Sequence, residues 1–224
     1  MAVISEPNVV TNGLILYVDC SNTRSYPGSG VTANDLIGGI GMTFMNGVGT
    51  NSANSGSFLL DGTNDYILGV HNSTFDLVND FSANVVFKIN SQGSDWVRVI
   101  GKGDITNRTF GFWYSPNQYF LFQRYGASST VSTVYNVVPQ NNVWYHIGIT
   151  SNGSTHKLYF NGVDVQTQTG AGPFYSTTTP FTLGYGNVHT YLNGNIAHVL
   201  LYDRALNAQE MKQNFNSVRY RFGI

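Results

Sequence analysis

Charge is what this sequence has least of. Lysine, arginine, aspartate and glutamate make up 10% of its 224 residues, where an ordinary soluble domain carries about 25%. The net charge is -1 and the pI is near 6.5, so no cationic field is available to hold nucleic acid or an anionic bilayer. Both partner classes are set aside on that ground. Cysteine is almost absent: Cys20 stands alone, which excludes an internal disulfide and leaves the apolar core to carry the fold. No run reaches the roughly 18 apolar residues that span a membrane as a helix. At the N-terminus, Glu6 and Pro7 stand where a secretory leader would need a basic start and an apolar run. Folding in a reducing host cytoplasm is the expectation.

What is present in quantity is β-forming and turn-forming. The chain holds 25 Gly, 14 Tyr and 14 Phe, with abundant Asn, Ser and Thr, a composition of strands joined by tight turns. Period-two alternation is clearest over Phe81, Ala83, Val85, Phe87 and Ile89, whose intervening Ser82, Asn84 and Lys88 are expected to face water. Similar stretches recur about a dozen times, for example at 14–19, 66–69, 110–114, 144–150, 163–169 and 196–202, enough for two packed antiparallel sheets. Asn161-Gly162 between Phe160 and Val163 predicts a two-residue hairpin turn. One helix is expected near the end, capped by Asn207 and Glu210, stapled by Leu206 and Met211, and buried along Met211, Phe215 and Val218. The fold class is therefore all-β: a single-domain antiparallel β-sandwich with one short C-terminal helix. Residues 1–12 read as an extended arm, 13–216 as the domain and 217–224 as a tail, the arm and tail being the segments expected to dock on other subunits.

The order of motifs resembles a known family. Gly13-Leu14-Ile15-Leu16-Tyr17-Val18-Asp19 is followed by Phe58-Leu59-Leu60-Asp61-Gly62-Thr63-Asn64-Asp65-Tyr66-Ile67, by Trp144-Tyr145-His146-Ile147 and by Leu158-Tyr159-Phe160-Asn161-Gly162. Gly194-Asn195-Ile196-Ala197-His198-Val199-Leu200-Leu201-Tyr202-Asp203-Arg204-Ala205-Leu206 closes the series. From about Gly13 to Phe215 this resembles the laminin-G-like jelly rolls of the concanavalin A-like lectin and glucanase superfamily. The ending Asn214-Phe215-Asn216 with Arg219-Tyr220-Arg221-Phe222-Gly223-Ile224 is similar to versions that tailed bacteriophages carry as virion proteins. The resemblance implies a jelly roll with one concave sheet, and a fold shared by lectins, adhesion modules, viral appendages and glycosidases.

Hydrolytic members of that family present closely spaced Glu and Asp on one strand, and glycoside hydrolysis needs a carboxylate pair about 5 to 9.5 Å apart. This chain has two glutamates, Glu6 in the arm and Glu210 in the helix cap. A non-catalytic protein is the expectation. No GxSxG turn or HExxH spacing offers a serine nucleophile or a zinc site, and His146 on its strand reads as a satisfied structural histidine. His198 stands where many relatives carry an acidic residue. Asp61, Asn64 and Asp65 give three hard oxygen donors within five residues, chemistry that suits a structural calcium ion, although they equally suit a tight turn. The family segment that supplies further side-chain oxygens is Gly38-Gly39-Ile40-Gly41-Met42 here.

A neutral surface rich in aromatic and amide groups suits sugars, which stack on rings and exchange hydrogen bonds. The candidate platforms are Trp113, Tyr114, Tyr125, Tyr175, His189 and Tyr191, placed at loop edges, whereas Trp96 and Trp144 are expected in the core. The same surface suits assembly with other virion subunits or self-association as a homo-oligomer. The expected function is a structural and binding module displayed at a tailed-phage virion surface as a fibre, decoration or attachment component, with a cell-surface glycan as a possible ligand. The alternative is a soluble lectin-like adhesion module, with a glycoside hydrolase a distant third.

Overall fold

Alternation of apolar and polar residues sets the strands, and the turns fall where Gly and Asn permit positive φ. The structure is a computed structural model and describes residues 7–126, 130–187 and 189–224. The first strands are β1 (Leu14–Asp19), β2 (Thr32–Asn34), β3 (Gly41–Met45), β4 (Gly49–Asn51), β5 (Ser57–Asp61) and β6 (Tyr66–Gly69). The long central strands are β7 (Asp80–Ser91), β8 (Val97–Gly103), β9 (Arg108–Ser115), β10 (Tyr119–Tyr125) and β11 (Thr130–Tyr135). They are followed by β12 (Trp144–Asn152), β13 (Thr155–Phe160), β14 (Val163–Thr169), β15 (Phe181–Leu183) and β16 (Asn193–Tyr202). Two short helices close the chain, α1 (Ala208–Asn216) and α2 (Arg219–Phe222), where one was expected.

The strands form two antiparallel sheets of eight, a jelly-roll sandwich. The first runs β14-β13-β12-β7-β16-β5-β4 with β1 also on β16, and the second runs β11-β10-β9-β8-β15-β6-β3-β2. Between them lies one aromatic core. Phe81 and Phe87 of the first sheet meet Phe110 and Phe112 of the second at ring-centroid distances of 4.8 and 5.9 Å, geometry worth about 0.5–1.5 kcal/mol per pair beyond the area buried. Asn161 and Gly162 take φ of 49° and 75°, as their hairpin turn requires. In α1 the capping box is complete: the Asn207 side chain accepts from the Gln209 and Glu210 N–H groups, and Glu210 accepts from the Asn207 N–H.

The alternation in β7 is right about the inner face and wrong about the outer one. Ser82 and Asn84 are buried, because α1 and the arm cover the outer face of the first sheet. The Ser82 hydroxyl donates to the Arg204 carbonyl and accepts from the Leu206 N–H. Asn214 of α1 donates through Nδ2 to Asn84 Oδ1 at 2.6 Å and to the Tyr202 hydroxyl at 3.0 Å, while its Oδ1 accepts from the Val10 N–H. The Tyr202 hydroxyl in turn donates to the Val10 carbonyl. Further along the same face, α2 sets Phe222 and Val218 on Val86, Ala197 and Trp144, and Arg221 donates to Asp19 and to the carbonyls of Asn54 and Gly56. From Pro7 onward, then, arm and tail dock on their own domain; residues 1–6 lie outside the described residues. Trp144 is half-buried under Phe222, with ring centroids 4.6 Å apart, rather than in the core.

Candidate functional site

With helices and arm spread over the first sheet, the outer face of the second carries no helix among the described residues, although β8 and β9 are buried on both faces. Its side chains follow from register. Phe110, Phe112 and Tyr114 of β9 point inward, so Gly111 and Trp113 point out. On β10, Phe120 and Phe122 point inward, so Tyr119, Leu121, Gln123 and Tyr125 point out. Trp113 stands beside Leu121 of β10 and Arg98 of β8, while Gly111 stands beside Gln123 and Gly101. The two adjacent glycines make a trough. A Cβ on Gly111 would come within 2.5 Å of Trp113 Nε1, and one on Gly101 within 2.9 Å of Arg98 Cδ. The indole and the guanidinium stem therefore lie down on bare backbone, the use of glycine within a strand.

On this floor sits a cavity of about 240 Å3, lined by Trp96, Arg108, Trp113, Leu121, Tyr125 and His189, with Ile105 and Gln123 completing it. Arg108 lies between two rings, its guanidinium carbon 4.5 Å from the centroid of Trp113 and 4.5 Å from that of Tyr125, contacts that hold a cation by the ring quadrupole. Its Nη1 donates to Gln123 Oε1. Arg98 lies on the other side of Trp113 at 5.5 Å and donates to the carbonyls of Tyr185 and Gly103 and to the Thr182 hydroxyl. Burial pulls the Arg98 guanidinium down to about 9, which leaves it charged at neutral pH, and lowers that of Arg108. At the rim, His189 Nδ1 is 2.8 Å from Asp95 Oδ2, and its ring meets Trp113 edge-on at 5.9 Å.

A second aromatic group continues the stripe toward β6. Tyr185 and Tyr191 stack at 4.3 Å with a 9° interplanar angle, and Tyr66 leans on both at 5.2 and 6.2 Å. Arg98 joins the groups by its bond to the Tyr185 carbonyl. From Tyr125 on β10 to Tyr66 on β6 the stripe crosses five adjacent strands, roughly 19 Å at about 4.8 Å per strand step.

Of the six aromatic platforms read from the sequence, Trp113, Tyr125 and His189 come together in the cavity and Tyr191 lies in the adjoining group. Tyr175 is half-buried and connects to Tyr125 only by its backbone N–H. Tyr114 is a correction: it lies wholly buried between the sheets, its hydroxyl pushed upward by burial. Trp96, expected in the core, is half-buried, meets Tyr119 at 5.5 Å and lines the cavity. Arg98, Arg108, Tyr66 and Tyr185 were not anticipated.

The Asp61 turn tests the calcium expectation. Asp61 Oδ1 accepts from the N–H groups of Thr63, Asn64 and Asp65, and Asp65 Oδ2 accepts from the Asp61 N–H. Burial pushes the Asp65 carboxyl up, whereas the three backbone bonds hold that of Asp61 down. These oxygens are turned toward amide hydrogens, and the set does not fit a cation. His146 is buried, but neither ring nitrogen is hydrogen-bonded to a described residue, and burial lowers it to about 3. That corrects the expectation of a satisfied histidine. His198 pairs in register with Asp19 and touches the Tyr17 ring at 5.2 Å. Glu210 is committed to the helix cap and to Arg204, at 2.6 Å.

Comparison with solved structures places the same sandwich in several proteins. The binding domain of botulinum neurotoxin DC, solved in complex with SialylT, superposes with a TM-score of 0.73 at 16% identity, over 93% of this chain and 52% of its own. The binding domain of paraclostridial mosquitocidal protein 1 gives 0.73 at 16%, over 92% of this chain and 52% of its own. Trypanosoma rangeli sialidase in complex with the inhibitor DANA gives 0.70 at 17%, over 96% of this chain and 35% of its own. The chain thus spans about half the length of the first of these or less of the sialidase, and at such identities the likeness is one of fold. No curated protein matches the sequence. The family model described as concanavalin A-like lectin/glucanases superfamily matches residues 61–212, which run from the Asp61 turn through every strand of the aromatic stripe to α1. Together with the jelly roll, that match makes the chain a laminin-G-like member of the concanavalin A-like lectin/glucanase superfamily.

Proposed function

We propose that this protein is a carbohydrate-binding module whose glycan lies along the aromatic stripe of the second sheet. The observation that carries the reading is the glycine floor: Gly101 and Gly111 give up side chains so that Trp113 and the two arginines can lie flat across an otherwise open sheet face. A packed core needs no such trough on its solvent side. The half-buried rings of Trp96, Tyr125, Tyr185 and Tyr191 around the buried Trp113, interleaved with Gln, Arg and His, offer both the stacking surface and the hydrogen-bond donors that sugar rings use. The botulinum binding domain in complex with SialylT and the sialidase in complex with sialic acid lend support, since this fold recurs as part of both. The reading is of binding rather than catalysis.

A glycan array probed with the intact protein tests it, followed by titration calorimetry on the best hit. Trp113→Ala should cost roughly 1–3 kcal/mol of affinity, that is, tenfold or more, with circular dichroism unchanged. A folded protein with no glycan above background would remove the reading.

A second role, display on a tailed-phage virion with self-association, draws on the tail motif at 219–224 and on β14, an edge strand that is exposed along most of its length. Co-purification with phage particles tests it, and a monodisperse monomer absent from every particle would overturn it.

A further inference from the structure

We propose that the cavity selects an acidic saccharide, one whose ring carries a carboxylate or sulfate, and that Arg108 receives the anionic group. The inference rests on the glycan-binding reading of the same face. Its starting point is a contrast among buried arginines. Arg124 spends Nε, Nη1 and Nη2 on the carbonyls of Thr109, Asn79 and Leu77 and on the Ser151 hydroxyl. Arg98 likewise spends all three nitrogens on protein oxygens. Arg108 is 4% exposed, donates from Nη1 to Gln123, and has an Nε with no hydrogen-bond partner among the described residues. No carboxylate of the described residues makes an ion pair with it. It is also the one of these three that lines the cavity.

A buried guanidinium held by rings is positioned but makes no ion pair, Asp104 supporting its charge only from a distance. The two ring faces accept the cation's faces, while its edge carries the in-plane donors. An anion that presents two oxygens to that edge, as a carboxylate or a sulfate does, makes charge-assisted, paired hydrogen bonds, and it gains more here than on an open surface because the site is already desolvated. Trp113 and Tyr125, stacked above and below, keep the fork from rotating. Beside it, Leu121, Ile105 and Trp96 offer an apolar wall for the face of the sugar ring. At about 240 Å3 the cavity is smaller than the roughly 300–1,000 Å3 of pockets for drug-sized ligands. It therefore admits one acidic residue of a glycan, and the rest of the chain runs out along the stripe toward Tyr185 and Tyr191.

The test is a glycan array carrying matched pairs, each neutral glycan beside its uronate, sialylated or sulfated counterpart, with titration calorimetry on the best pair. The acidic member should bind roughly tenfold tighter or more. In Arg108→Gln that preference should collapse, the acidic member losing roughly tenfold more affinity than the neutral one; Arg108→Lys, which keeps the charge but loses the fork, should fall between. The wild-type comparison stands even if a variant fails to fold. Equal affinity for both members would overturn the inference and leave glycan binding intact. Silence from neutral and acidic glycans alike would overturn both. Which acidic class binds tighter identifies the anionic group.

Discussion

Asn214 shows how much one side chain can carry in a molecule poor in charge. It is fully buried and ties the arm, α1, β7 and β16 through Val10, Asn84 and Tyr202. Asn214→Leu would strand the Val10 N–H and Asn84 Oδ1 in an apolar layer, and the expected cost is about 2–4 kcal/mol in urea unfolding. Two histidines set the acid response. Burial lowers His146 to about 3 and His198 to about 4, from the ordinary 6.5. The folded protein therefore binds fewer protons than the unfolded chain in that window, and unfolding takes protons up. Stability should be complete above about pH 6.5 and fall steadily as the pH drops toward those two values. Denaturant midpoints measured along that range check it, and His146→Phe, which packs on Phe215, should flatten the slope.

Among the elements, β9 separates what was legible in the sequence from what was not. The hairpin at Asn161-Gly162 and the capping box of α1 are short-range chemistry, complete within a few residues, and both were readable. Trp113 was readable as aromatic but not as a floor, because its role depends on phase. Phe110, Phe112 and Tyr114 claim the inner face, which forces Trp113 outward, and the same count sends Tyr114 inward. Parity along the strand could have placed both. Arg108 could not have been found so, since its site exists only where Gly111, Gln123 and Tyr125 meet across strands. The strands β2 and β4 were missed because Thr32–Asn34 and Gly49–Asn51 are three residues long and carry no alternation to read, whereas β3, Gly41–Met45, does alternate and was readable but passed over as part of a glycine-rich segment. At this scale Gly111→Ala should lift the indole from its seat, shift tryptophan fluorescence and weaken glycan binding at a modest cost in stability. The Asp61 turn makes the opposite kind of prediction: millimolar calcium or a chelator should leave the melting temperature unchanged, while Asp61→Ala, which removes the acceptor of three N–H groups, should lower it.

At the scale of the molecule, the two sheets have divided their duties. The first sheet carries α1, α2 and the arm, and its outer polar residues are spent on holding them. The second carries no helix among the described residues and holds the aromatic stripe instead. Ending the chain at Ser217 would strip Phe222 from Trp144 and leave Asp19 without Arg221. The truncated protein should unfold at lower denaturant and bind a hydrophobic dye, with a red-shifted Trp144 signal. Glycan binding per folded molecule should survive, because the stripe touches none of these residues.

The placement of residues 7–12 and of α2 has a consequence for orientation. Pro7, Asn8 and Val9 line one cavity together with Val218 and Arg221, so both ends of the described chain emerge side by side, on the side of the sandwich away from the aromatic stripe. Whatever is joined to either end, whether a further domain, a particle or a sensor surface, is attached from behind, and the sheet that carries the aromatic stripe looks outward without a linker having to turn it.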